Sequence, residues 1–314
     1  MPSAPSGFVL GIDFGGTKVA LGTATPAGEL LETARLDNAG RDAGAVVAHA
    51  LEAAGDLLRH TTVRGRLLAV GAVSPGIIAE DGVRLAPNVP GWEQLRLPSR
   101  LRDALGSDRV ACGNDVKAAA LAEARWGALR GADPGVFLNL GTGVAAGVVA
   151  GGRVLTGAHG AAGEIGYSLR SHRDAAGVHA GRAPLEEAAG GRAIGERAAA
   201  VLGREATAAD AFAASDGAVA ALVDEALDEL AVHVANLAVL LDPARIAVGG
   251  GLMHAAERVM PALRHRLELA VPYPPELVPA AFIHDGALRG AVALALDTGG
   301  SARSTNDRTL EEVR

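Results

Sequence analysis

The sequence predicts an α/β protein of two packed lobes, on three observations. At 314 residues the chain is too long for one ordinary compact core and suits two. A pattern of strand, glycine turn, strand, turn and strand occurs twice, at 8–36 and at 136–156. It reads as an internal duplication of a β-meander that opens each lobe. The composition, 49% hydrophobic and 21% charged, is that of a soluble globular protein.

The elements follow in order. Phe8 to Phe14 is a short apolar run ended by Gly15-Gly16, hence a strand. Val19 to Thr23 is the second strand, Pro26-Ala27-Gly28 a turn, and Leu30 to Leu36 the third strand. Residues 42–60 carry the apolar spacing of an amphipathic helix. Leu67 to Val73 reads as a buried strand, and 74–98, rich in Pro and Gly, as mostly loop. Val110 to Gly113 is a short strand and Val116 to Leu129 a helix.

The second copy then begins. Val136 to Leu140 is closed by Gly141-Thr142-Gly143, Val144 to Ala150 follows, and Gly151-Gly152 turns the chain into Val154 to Thr156. A glycine-rich loop lies beyond 157, and helices dominate 185–241. Ile246 to Val248 is a strand closed by Gly249-Gly250-Gly251, and 254–270 a helix. Glu276 to Phe282 is expected as a strand and Ala287 to Leu296 as the last helix. The polar residues 299–314 read as a disordered tail. With no low-complexity linker, the chain is expected to cross between lobes near Gly113 and return near Asp285. That gives a smaller lobe of 1–113 plus about 286–298 and a larger one of 114–285.

Composition narrows the function. A net charge of -7 without a long basic run argues against nucleic acid as the main partner, since phosphate-backbone binding needs a concentrated positive face. The single cysteine, Cys112, allows neither an intramolecular disulfide nor a cysteine zinc site, which suits a reducing cytosol. Cys112 itself reads as a core thiol, not a nucleophile. Residues 1–7 show no basic and apolar leader pattern, and no apolar stretch reaches the ~20 residues a membrane helix needs. A cytoplasmic protein without a membrane partner is expected.

Five segments carry chemistry. In Asp13-Phe14-Gly15-Gly16-Thr17-Lys18 a strand delivers an acid to a glycine turn, which allows close backbone approach to a phosphate. Thr17 adds a hydroxyl, Lys18 a cation, and Asp13 could hold Mg²⁺ directly or through water. The plain alternative is a hairpin turn with a solvated lysine. Gly141-Thr142-Gly143 sits at the matching turn of the second copy, so two turns could grip a polyphosphate together. Asn114-Asp115 joins a strand to a helix. Asp115 reads either as a helix cap or as a base that deprotonates a sugar hydroxyl. The glycine-dense run 157–167 presents Glu164, a carboxylate able to accept from two vicinal hydroxyls or simply to be solvated. Gly249-Gly250-Gly251 permits close approach by an adenine or ribose near a helix N-terminus, or merely punctuates the chain.

In this order, from about Gly11 to Leu296, the segments resemble the ROK family of bacterial sugar kinases, repressors and related proteins. Asp13 to Lys18 is similar to its first phosphate motif and Gly141 to Gly143 to its second. Asn114-Asp115 resembles its sugar-binding Asn and catalytic base, and Gly163-Glu164-Ile165-Gly166 its signature around a sugar-binding Glu. Pro87-Asn88-Val89-Pro90-Gly91-Trp92 resembles its sugar loop, which puts Asn88 on the substrate. Leu241-Asp242-Pro243 through Gly251 resembles its adenosine segment. The resemblance implies an actin-like ATPase fold, with two RNase H-like lobes and ATP and sugar in the cleft between them. It also implies ATP and Mg²⁺ as cofactors, and a homodimer.

Two departures stand out. Tyr167 replaces the histidine that usually follows the Glu-x-Gly signature. The stretch Ala183-Pro184-Leu185-Glu186 lacks the family's zinc-binding cysteines, while Glu186 keeps the place of a further sugar-binding Glu. A zinc-free protein is expected, since His159, His172 and His179 are too scattered to replace the cysteines. The resemblance implies transfer of the ATP γ-phosphoryl group to a hydroxyl, usually the 6-hydroxyl, of a hexose or N-acetylhexosamine, most of all glucose. Asp115 would act as base, with Asn88, Asn114, Glu164, Tyr167 and Glu186 around the sugar. The alternatives are a degenerate relative that binds without catalysis, a sugar-sensing regulator, and a kinase using polyphosphate. The regulator is disfavoured because a strand begins at Phe8, where a helix-turn-helix would be expected.

Overall fold

The structure, a computed structural model, describes residues 7–38, 40–86 and 91–300. The chain divides into two compact units, 1–113 with 291–314, and 114–290.

The first unit is built on a five-stranded sheet. β1 (Gly7–Phe14), β2 (Lys18–Ala24) and β3 (Leu30–Asp37) form the expected antiparallel meander. β4 (Arg66–Ser74) lies parallel to β1 on its other side. β7 (Val110–Asn114) follows, giving the order β3-β2-β1-β4-β7. The central β1 is apolar on both faces, burying Phe8, Val9, Leu10, Ile12 and Phe14, whereas the edge strand β3 is half polar. Helix α1 (Ala43–Thr61) covers the sheet with Val46, Val47, Ala50, Ala54 and Leu57, a helical spacing. Its N-cap is Asp42, whose carboxylate accepts from Ala45 N at 2.8 Å.

Residues 74–98 contain more structure than their Pro and Gly content suggests. β5 (Ile77–Ala79) and β6 (Gly82–Arg84) pair as a small hairpin, and helix α2 (Leu97–Leu105) begins in this stretch. Pro98 lies in the first turn of α2, where a missing N–H costs nothing. Trp92 is buried against Phe14, ring centroids 5.8 Å apart, and its indole N–H donates to Ser74 Oγ at 3.3 Å.

The second unit repeats the design. α3 (Asp115–Trp126) leads into β8 (Gly135–Leu140), β9 (Val144–Ala150) and β10 (Arg153–Val154), again an antiparallel meander. β11 (Arg245–Gly249) lies parallel to β8, and β12 (Glu276–Pro279) parallel to β11. The order β10-β9-β8-β11-β12 repeats that of the first sheet. Between the meander and β11 come α4 (Pro184–Ala189), α5 (Gly191–Leu202), α6 (Ala208–Ala213) and the long α7 (Gly217–Leu241). α8 (Ala256–Ala270) and α9 (Gly286–Gly300) complete the described chain. The core joins Leu138, Leu140, Val144 and Val248 of the sheet to Val223, Leu230 and Val234 of α7 and Leu263 of α8.

Most expected boundaries move by two residues or fewer, as where the strand expected at 154–156 is Arg153–Val154, and three move further. α3 stops at Trp126, short of Leu129, and the last strand stops at Pro279, short of Phe282. One buried carboxylate explains both. Glu123 accepts from the backbone N–H of Ala128 at 2.6 Å, Ala281 at 3.2 Å and Phe282 at 2.7 Å. Those amides are thereby drawn away from helix and ladder. The last helix runs on through Gly299 and Gly300, which were expected in the tail. The rest of that expected tail, 301–314, lies outside the described residues. Among the described residues no helix is long and apolar enough to cross a membrane.

Candidate active site

In the first unit, Asp13 is half-buried near the end of β1, opposite Ala20 of β2 and Val73 of β4. The turn Gly15-Gly16-Thr17 follows it directly. Thr17 O accepts from Asn38 N at 2.9 Å, so the turn is tied to the end of β3. Gly16, Thr17 and Lys18 are exposed, and a side chain at Gly16 would meet nothing within 4 Å. The turn is thus a fixed, open loop of backbone. Asn38 lies beside it and carries no local signal in the sequence. Its side chain is buried, and both amide atoms lack a hydrogen-bond partner. Asn88 lies outside the described residues, as do the rest of 87–90.

The second unit gathers most of the remaining candidates. Asn114 ends β7 and caps α3, its Oδ1 accepting from Lys117 N at 3.0 Å. The cap is therefore Asn114; Asp115, the expected capping candidate, occupies the first helical position. There its Oδ1 accepts from Val116 N at 2.8 Å. Loss of water pushes the Asp115 carboxyl up to about 6, with the Glu164 charge adding to the rise and the Val116 N–H and Lys117 opposing it.

Glu164 is held by the loop before it. Gly163 has φ +83°, and its carbonyl accepts from Ala146 N at 2.8 Å, which pins the loop to β9. Glu164 Oε1 then accepts from Lys117 Nζ at 3.0 Å. Tyr167 follows in a single 3₁₀ turn, Ile165–Tyr167. Burial and the neighbouring Glu186 and Glu164 charges raise its phenol further, so Tyr167 is a protonated donor facing two carboxylates.

The turn Gly141-Thr142-Gly143 joins β8 to β9, as Gly15-Gly16-Thr17 joins β1 to β2. Gly141 O and Thr142 O accept from Gly191 N and Arg192 N at the start of α5. Glu186 Oε2 accepts from Val144 N at 3.1 Å. A side chain at Gly143 would lie 2.0 Å from that oxygen, so only glycine leaves the carboxylate its place. Gly249 ends β11, and Gly250, at φ +93°, backs onto Leu140 O of the same turn. Gly251 is exposed at the start of a 3₁₀ helix. The structure thus brings the second glycine turn, Glu186, the start of α5 and the Gly249–Gly251 segment together.

Lys117 was passed over in the sequence, where it reads as one more helix lysine; only its tertiary partner reveals it. Arg192 was passed over too, in an alanine- and glycine-rich stretch without a periodic signal. Cys112 is partly buried, and loss of water pushes its thiol up to about 12, which leaves it unreactive. Among the described residues no three of His, Cys, Asp and Glu come together to hold a metal ion. The segment where cysteines were missing is held by other means. Arg170 pairs with Glu229 of α7 at 3.1 Å, Arg182 with Glu187, and Ser171 and Asp174 form a capping box.

Two sheets of one strand order, each closed by a glycine turn after its first strand, define a duplicated α/β protein of the actin-like ATPase type. The chain belongs to the ROK family, whose sequence pattern matches residues 9–298. It is 30% identical over 281 residues to a glucokinase of Halalkalibacterium halodurans, covering 82% of this chain and 84% of that protein. It is 31% identical over 261 residues to an N-acetylgalactosamine kinase of Shewanella, covering 79% and 82%. A ROK hexokinase from Thermus thermophilus superimposes with a TM-score of 0.77 at 30% identity, over 92% of this chain and 97% of that one. A ROK glucokinase from Streptomyces griseus, solved with glucose and AMPPNP, gives 0.73 at 26%, over 92% and 99%.

Proposed function

We propose that the protein is an ATP-dependent sugar kinase that phosphorylates a hydroxyl, the 6-hydroxyl first, of a hexose or N-acetylhexosamine, with glucose the leading substrate. The carrying observation is the Asp115 carboxyl, raised to about 6 beside Glu164 and Lys117. Such a group is ionised at neutral pH yet basic enough to take a proton from an attacking hydroxyl. The family relatives support the reaction class, and their differing sugars leave the acceptor to experiment.

In this reading Asp115 accepts the hydroxyl proton, while Asn88, Asn114, Glu164, Tyr167 and Glu186 orient the sugar. Tyr167 donates where the family histidine would stand. Asp13, Gly15, Gly16, Thr17 and Lys18 hold phosphates in the first unit; Gly141, Thr142 and Gly143 do so in the second. Gly249, Gly250 and Gly251 flank the nucleoside. The open backbone at Gly16 and the carboxylate of Asp13 fit a phosphate with its cation. ATP with Mg²⁺ supplies the phosphoryl group and the charge that stabilises its transfer. The protein's own contribution is alignment of the hydroxyl and exclusion of water. A homodimer rests on the family resemblance alone, and a cytoplasmic location on the single cysteine of the sequence.

A coupled assay with ATP or polyphosphate against glucose, N-acetylglucosamine, N-acetylmannosamine, mannose, fructose and allose tests the reading. Turnover of a hexose or N-acetylhexosamine with ATP is expected, and silence across the panel with intact ATP binding would overturn it. Gly143→Ala should lower turnover about tenfold to a hundredfold by displacing the Glu186 carboxylate from Val144 N. The melting temperature should move little, because the displaced atom is the end of a flexible side chain. A stable variant with full turnover would remove Glu186 from the site.

A further inference from the structure

Lys117 is nearly buried, its side chain 8% exposed, and its ammonium lies 3.0 Å from Glu164 Oε1, on a side chain 20% exposed. Lysine is seldom buried without a partner, and a buried ion pair contributes little net stability over apolar side chains. The pair also adjoins the acceptor base. Two charged side chains act on Asp115, in opposite senses: Glu164 from the 157–167 loop and Lys117 from its own helix. The Glu164 charge also acts on Tyr167, together with that of Glu186.

We propose that Lys117 is a positioning residue of the transfer site: it fixes Glu164 through Oε1, directs the sugar to Oε2, and offsets the Glu164 charge beside Asp115. The proposal rests on the reading of Asp115 as base and Glu164 as sugar ligand. It changes what the carboxylate offers. A free carboxylate presents two acceptors to a vicinal diol. The pair presents an acceptor beside an ammonium, which carries three donors.

The test uses the full-length protein and the variants Lys117→Met, Lys117→Arg, Glu164→Gln and the Lys117→Met/Glu164→Gln double. Sugar affinity is read by calorimetry, and the acid limb of kcat/KM as a function of pH. Lys117→Met should weaken sugar binding about tenfold and move the limb up by on the order of one pH unit, since Asp115 then faces an uncompensated negative charge. Lys117→Arg should leave the limb in place, Glu164→Gln should lower it, and the double variant should return it toward wild type. A purely structural pair would not move the limb in opposite directions. If Lys117→Met does not fold, the contrast between Lys117→Arg and Glu164→Gln decides. A limb that stays put in every folded variant overturns the proposal. A wild-type protein that binds a sugar without phosphorylating it defeats the kinase reading alone, and sugar affinity in Lys117→Met then decides the positioning role. A wild type that binds no sugar defeats both.

Discussion

Asp115→Asn should lower kcat about 10²- to 10⁴-fold while making the protein more stable. Asparagine keeps the shape, and its carbonyl oxygen can still accept from Val116 N, so the change removes charge and basicity alone. The sign of the stability effect follows from the raised carboxyl. In the folded protein Asp115 titrates at about 6, against an ordinary 3.8. The native state therefore holds its proton more tightly than the unfolded chain. Stability falls as pH rises from about 4 through 6 and stays at that lower level above. The neutral side chain escapes this cost, so the variant should gain about 1–3 kcal/mol at pH 7 and nothing below pH 4. Denaturant melts at pH 4 and pH 7, with turnover measured on the same samples, check both halves. Near-normal turnover would sink the role of Asp115 as base. An unchanged stability difference between the two pH values would sink the claim that burial holds its proton.

Gly163→Ala is expected to damage fold and site together. Its φ of +83° disfavours any side chain, and the new Cβ would lie 1.9 Å from Ala146 O, a backbone atom that cannot swing away. The loop must lift from β9 and release the 2.8 Å bond from Ala146 N. A loss of about 2–5 kcal/mol follows from the strained backbone and the overlap. Glu164 is the next residue, so sugar affinity should fall with it. Gly203→Ala is the control. Its φ of +65° is similar, yet nothing lies within 4 Å, so it should lose about 1–2 kcal/mol and no affinity. Equal losses in the two variants would show that the close approach to Ala146 plays no part.

The turn that holds Glu164 also marks how much of the site was legible in the residues. The glycine density of 157–167 announced a tight loop presenting a carboxylate, and that is local information. That Gly163 is pinned to β9 is not, since the partner is Ala146, far back in the chain. Lys117 carries the same lesson. On a helix its local pattern is that of any solvated lysine, and its partner Glu164 lies 47 residues further along the chain. Asn114 and Asp115 were recognised as a pair at a strand-to-helix junction. Which of them caps α3 depended on backbone angles at that junction.

By itself the sequence determined the α/β class, the duplicated meander and the two glycine turns. These follow from short-range alternation, glycine positions and repetition, and the two sheets adopt one strand order accordingly. The family resemblance is equally a property of motif order. The tertiary structure alone decided where β12 ends, because Glu123, 159 residues away, takes the amide of Phe282. It also decided that Glu186 braces the second glycine turn, and that Glu164 shares its charge with Lys117. Hydrogen bonds and ion pairs between distant residues leave no periodic trace in a chain. Burial, which makes them matter, exists only once the chain has folded.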